Sequence, residues 1–93
     1  MDAMNEPAIV GYGRHFVDQY PQQEYVECLQ RAFKRDRADF ITLDDNRHGQ
    51  RFLAAATAWA IDAGWLYCDR IDEGDQEVVS SFRLTDEGKR MLL

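Results

Sequence analysis

From Gly64 onward the chain carries a helix stop, two alternating apolar stretches around an acidic turn, and a capped closing segment. In Trp65 to Ile71, Leu66 and Cys68 alternate with Trp65, Tyr67 and Asp69. In Glu77 to Leu84, Val78, Ser80, Phe82 and Leu84 alternate with Val79, Ser81 and Arg83. A period of two sends successive side chains to opposite faces of a strand, so both stretches read as half-buried strands. Asp72-Glu73-Gly74-Asp75 joins them into a hairpin, and Gly74 is expected to supply the positive φ of its turn. Gly64 stands where a left-handed cap ends the preceding helix, with Trp65 folding back onto that helix's last turn. Thr85 caps a short final helix that ends in Met91, Leu92 and Leu93.

Two longer helices precede the hairpin. Pro21 suits the start of a helix, where a missing N–H is harmless. Gln22 to Asp36 then places Tyr25, Val26, Leu29, Ala32 and Phe33 on one side at helical spacing. Glu24 near its start and Lys34 and Arg35 near its end suit the helix dipole. Gln50 to Ala63 is alanine-rich and strongly helical. Phe52, Ala56, Trp59, Ala60 and Ala63 form its expected inner face, with Leu53 beside it. Between the helices, residues 38–43 read as a short strand or a connector, and Thr42 and Asp44 to Asn46 offer N-caps. Residues 8–20, with Gly11 and Gly13, suggest an irregular lead-in followed by a short helix or strand.

Bulk properties narrow the function classes. Ninety-three residues, 45% of them apolar, are enough for one small domain with a modest core. The expected organisation is a flexible stretch over residues 1–7 and one domain over 8–93. No apolar run nears the length of a membrane span, and no signal-peptide pattern opens the chain, so a cytoplasmic protein without membrane contact is expected. Cys28 and Cys68 are isolated from each other and from His15 and His48, which leaves no zinc spacing and no expected metal or cofactor. The net charge of −6 opposes non-specific binding to phosphate backbones, which depends on cations that displace counterions.

Taken together, residues 22–92 resemble the winged helix-turn-helix superfamily. Gly64-Trp65-Leu66 at the helix exit and Leu84-Thr85-Asp86-Glu87-Gly88 after the second strand carry the resemblance. The second motif is similar to the Leu-Thr-x-x-Gly close of MarR-like and PadR-like bacterial regulators. Its leucine completes the core strand, its threonine caps the next helix, and its glycine permits close helix packing. The resemblance implies an α+β, winged-helix-like fold, with helices packed on a small antiparallel hairpin, the wing, and a short C-terminal helix. One departure accompanies it. The family places two helices between its first helix and the hairpin, and here only Leu43 to Gly49 has room for the earlier one. Otherwise the helix over 22–36 takes that place and residues 8–20 supply the first.

Two surfaces are candidates for recognition. Asp69, Asp72, Glu73, Asp75 and Glu77 surround the wing tip, with Arg70 their one cation. They suit a protein partner with a basic surface, as an acidic adaptor or as an inhibitor that imitates nucleic acid. They also suit a plain solubilising turn. The alternative is DNA. The resemblance implies that the helix from about 47 to 63 reads bases, and its expected exposed face offers Arg47, His48, Gln50, Arg51, Ala54, Thr57 and Ala58. Arg47, Gln50, Arg51 and Thr57 are then the reading residues, probing a major groove as a dimer. Arg31, Lys34, Arg35 and Arg37 extend a basic patch that Asp36, Asp39, Asp44 and Asp45 dilute. The run Ala54-Ala55-Ala56 with Ala58 and Ala60 suits either a homodimer contact or packing within one chain, and residues 8–20 are a second dimer candidate.

An enzyme is the least favoured class. No nucleophile–base grouping or glycine-rich phosphate loop stands out, and Cys28 sits among apolar residues as an inert thiol. The expectation is therefore non-enzymatic recognition, protein binding ahead of DNA binding.

Overall fold

The hairpin read from sequence is the spine of a larger sheet. A computed structural model describes residues 6–46 and 49–93. Strand β2 (Leu66–Glu73) and strand β3 (Val78–Leu84) pair antiparallel, and strand β1 (Ile41–Asp44) pairs with the other side of β3. The sheet order is therefore β1-β3-β2. Among the described residues, four α-helices complete an α+β fold: α1 (Ala8–Arg14), α2 (Gln22–Gln30), α3 (Arg51–Asp62) and α4 (Asp86–Leu92). This architecture is compatible with a small winged-helix-like domain. None of the described helices is long and apolar enough to cross a membrane.

Local chemistry explains each boundary. Gly64 adopts φ 83°, and the amides of Gly64 and Trp65 donate to the Ile61 and Ala60 carbonyls, a pair of bonds that closes α3. Thr85 Oγ1 accepts from Gly88 N at 3.0 Å and donates to Gly64 O at 2.6 Å, so one hydroxyl starts α4 and ties it to the end of α3. A Cβ on Gly88 would overlap the Trp65 carbonyl, which is why α4 can lie this close. Gly74 behaves otherwise than expected. Its φ is not positive, and the turn closes through its amide donating to Glu77 O at 2.8 Å. Leaving four residues for the turn relaxes the demand that a two-residue loop would impose.

Residues 8–20 reverse the expected order. The helix comes first, across both glycines, and a single 3-10 turn over Val17–Gln19 follows. Gly13 permits this, because a Cβ there would overlap the Ala54 carbonyl, so α1 rests directly on α3. Ahead of α1, Pro7 is buried and Glu6 forms a two-pronged pair with Arg14, which also holds Asp62 at the end of α3. Those two carboxylates raise the Arg14 pKa and keep it charged.

The core lies between the inner face of the sheet and the helices. Leu43, Leu66 and Phe82 meet Leu29, Phe33, Ala54, Ala58 and Leu92, all of them buried. A second cluster gathers Tyr25, Ala55 and Ala56 with Phe52 and Trp59. Tyr25 is 1% exposed, and its hydroxyl donates to Val17 O at 2.6 Å, which removes the penalty of burying it. Trp59 and Trp65 meet edge to face at 4.9 Å, so these rings belong to the packing.

In the connection from Asp44 to α3, none of the described residues is helical. The caps expected from Thr42 and Asp44 to Asn46 do not form either. Asp44 Oδ1 instead accepts from Asn46 N at 2.8 Å and from Gln50 Nε2 at 2.6 Å, and Gln50 occupies the cap position without a side-chain bond to the helix. Strand β1 separates α2 from α3, so no tight helix-turn-helix joins them.

Candidate interaction surface

Helix α3 is the centre of the molecule, and this overturns its expected exposed face. Ala54, Ala55, Ala56, Thr57, Ala58 and Ala60 are all 0% exposed. Alanine raises no ridge, so backbones can approach the helix from several sides. Helix α1 covers one side, α2 another and the sheet a third. Thr57 Oγ1 donates to Leu53 O at 2.8 Å inside this packing and cannot reach a base. Ala54 and Ala58 are equally enclosed, and the alanine run packs within one chain, so it offers no dimer contact. Gln50 is half-buried and engaged with Asp44. Arg51 is exposed and lies over the Phe16 ring at 4.6 Å. Arg47 and His48 fall outside the described residues. Of the four residues assigned to base reading, only Arg51 is both described and exposed.

The ribbon presents the opposite picture. Every residue from Asp69 to Glu77 is exposed. A bulge interrupts the pairing here: Cys68 faces Phe82 and Arg70 faces Ser81, so Asp69 is the extra residue. An extra residue turns a strand locally and re-aims a side chain. At this bulge Asp69 meets Arg83, whose Nε donates to Oδ2 at 3.0 Å. Arg70 pairs with Asp72 at 3.3 Å. Glu73, Asp75 and Glu77 have no ion-pair partner among the described residues. The sequence put all five carboxylates around the tip. The structure divides them into two compensated ones at the flank and three uncompensated ones at the end.

Sequence reasoning missed Arg83. It lies on the face of β3 opposite the buried Phe82, half-exposed, paired with Asp69 and lying over the Phe40 ring at 5.3 Å. Its position in the alternating pattern marked it as outward, but only the bulge and the neighbouring strand reveal its partners.

A second charged region lies at the end of α2. The helix finishes in one π turn, Arg31–Arg35, where Asp36 N donates to Arg31 O at 2.9 Å. Arg37 then takes φ 56°, a left-handed conformation that glycine usually supplies at such an exit. Of the carboxylates expected to dilute this patch, only Asp36 forms an ion pair within it, with Arg35 at 3.1 Å. Arg31, Lys34 and Arg37 have no such partner among the described residues.

The thiols offer no activated nucleophile. Burial pushes the Cys28 pKa up, with Arg31 opposing it, and burial is also the main cause of the rise at Cys68. A raised pKa leaves a thiol protonated and unreactive near neutrality. Among the described residues no group of three His, Cys, Asp or Glu side chains is placed to hold a metal ion. Compared with protein-family models, with curated proteins and with solved structures, the chain matches none.

Proposed function

We propose that this chain is a winged-helix-like, non-enzymatic recognition module that binds a basic protein surface through its acidic ribbon. Asp69, Asp72, Glu73, Asp75 and Glu77 form the contact, and the chain acts as a small adaptor or inhibitor, one form of which occupies a nucleic-acid-binding groove by imitating phosphates. A single observation carries this reading. The three carboxylates at the tip are exposed and have no ion-pair partner among the described residues, while Ala54 to Ala58 and Ala60 of the helix that would read DNA are buried. Uncompensated surface charge steers a complementary partner and suppresses wrong ones, even where each ion pair adds little affinity. The DNA alternative draws on Arg51 alone among its described and exposed residues, and an acidic wing would meet phosphates with repulsion.

The test compares the tagged chain with a Glu73→Lys, Asp75→Lys, Glu77→Lys variant. Partners captured by each are identified by mass spectrometry, and binding is then measured with the purified partner. The expected result is a partner with a basic surface whose affinity falls roughly tenfold to a hundredfold in the variant. Capture indifferent to the reversal would remove the ribbon from the contact. A low-salt mobility shift on DNA that Arg51→Ala abolishes would replace this reading with the regulator.

A further inference from the structure

At the root of the ribbon a recess of about 310 Å³ opens where the exit of α2, the hairpin and α4 meet. Phe33 and Leu84 line it and are buried, so its inner part is apolar. Tyr67 and Leu93 also line it, at 44% and 57% exposure. Phe40, beneath the guanidinium of the lining residue Arg83, is 45% exposed. Only five large apolar residues are exposed among the described residues, and these three of them gather at one place. Single exposed apolar side chains are ordinary, whereas a group of them around a recess marks a contact.

The charge at this place runs against that of the chain. The sequence carries a net −6, yet Arg83 and Lys89 line the recess against one carboxylate, Asp39. Arg83 is committed to Asp69 at 3.0 Å. Lys89 has no ion-pair partner among the described residues. Neither has Arg37, which directly precedes the lining residue Ala38. With Arg37 and Asp69 included, the cations still exceed the carboxylates. An apolar interior beside an unpaired ammonium fits an anchor of mixed character, a large apolar side chain with a carboxylate next to it. The volume lies at the lower limit of ligand pockets, about 300–1,000 Å³, and so suits one side chain better than a whole metabolite.

We infer that this recess docks a short acidic segment of another protein, with one large apolar side chain filling it and flanking carboxylates meeting Lys89 and Arg37. Tyrosine and arginine are among the side chains that most often dominate protein contacts, and Tyr67 and Arg83 stand opposite each other here. The acidic tip does not forbid an acidic visitor. Tyr67 pairs with Arg83 at the root, and Glu73 pairs with Val78 at the far end of the same two strands. At the usual rise per strand residue the two places lie roughly 20 Å apart. That separation exceeds the Debye length of about 8 Å at physiological ionic strength, so salt screens the tip from the recess. The chain therefore has two contact surfaces of opposite preference, a tip for basic partners and a root for acidic ones. The second stands whether or not the first does.

The test selects displayed peptides of random sequence on the immobilised full chain. Fluorescein-labelled copies of the enriched peptides are then titrated by anisotropy at about 0.15 M salt. The expected peptides share one large apolar residue flanked by acidic ones. Tyr67→Ala and Lys89→Glu, both at exposed positions, each weaken their binding roughly tenfold with unchanged circular dichroism. The tip reversal Glu73→Lys, Asp75→Lys, Glu77→Lys changes it by less than about threefold. Enrichment of basic or uncharged peptides, or of none, overturns the inference. Binding indifferent to Tyr67→Ala and Lys89→Glu also overturns it. So does binding shifted by the tip reversal as much as by Lys89→Glu, because overall charge then accounts for it. The proposed function fails separately, through capture of a basic partner that the tip reversal leaves untouched.

Discussion

Helix α3 and the tip of the ribbon are neighbours in sequence and opposites in environment. Six side chains of α3 are completely buried, whereas every residue from Asp69 to Glu77 is exposed. The helix is enclosed because its side chains are small. Five alanines leave no ridges, so α1 can lie against its backbone through Gly13 while α2 and the sheet close on other sides. The ribbon projects because taking an unpaired carboxylate out of water costs more than any contact there would return. Helix α3 is scaffold, and the ribbon carries three uncompensated carboxylates. A scaffold is sensitive to volume and insensitive to charge; a contact surface is the reverse.

That contrast can be broken most severely at the root of the ribbon. Phe82 belongs to β3 but is 0% exposed beneath the helices. Phe82→Ala should lower stability by about 4 kcal/mol, measured by chemical denaturation. A loss below about 1 kcal/mol would mean that the sheet and helices do not share one core. Gly13→Ala comes next. The added methyl meets the Ala54 carbonyl, so α1 must lift from α3, and a loss of about 2–3 kcal/mol is expected. Thr85→Ala removes the cap of α4 and the bond to Gly64 O together, for a loss of about 1–2 kcal/mol.

Two smaller effects sharpen the comparison on the exposed side. Arg37→Gly relieves a left-handed backbone and should stabilise the fold by about 0.5–1 kcal/mol, seen as a higher denaturation midpoint. The triple reversal at Glu73, Asp75 and Glu77 should change stability by less than about 0.5 kcal/mol. If the tip variants unfold the chain instead, the ribbon is a structural element and the division between scaffold and contact surface collapses.

Much of the fold could be read from local patterns. The stop at Gly64, the two strands around the acidic turn, the cap at Thr85 and the helix through Leu29 and Phe33 all depend on residues close in sequence. Gly74 shows the limit even there, since its presence implied a positive φ that a longer turn does not need. The bulge at Asp69 was also hidden, because an extra residue shows only against a partner strand. The acidic cluster was visible as a set of residues, but its separation into paired and unpaired carboxylates was not. Arg83 and Arg70, which make the difference, come from opposite strands and from opposite sides of the bulge.

What the sequence settled by itself was the course of α2, α3, the hairpin and α4 to within a residue or two, because caps, turns and periodicity act over a few residues. It also settled which charges sit near the tip. Only tertiary structure decided that α3 is enclosed, that Thr57 is inaccessible and that β1 extends the sheet on the far side of β3. An alanine-rich helix has no strongly preferred face, so its exposure depends on whether distant segments find a backbone they can approach closely. Gly13 provides that approach from forty-one positions before Ala54, a relation that no local pattern records.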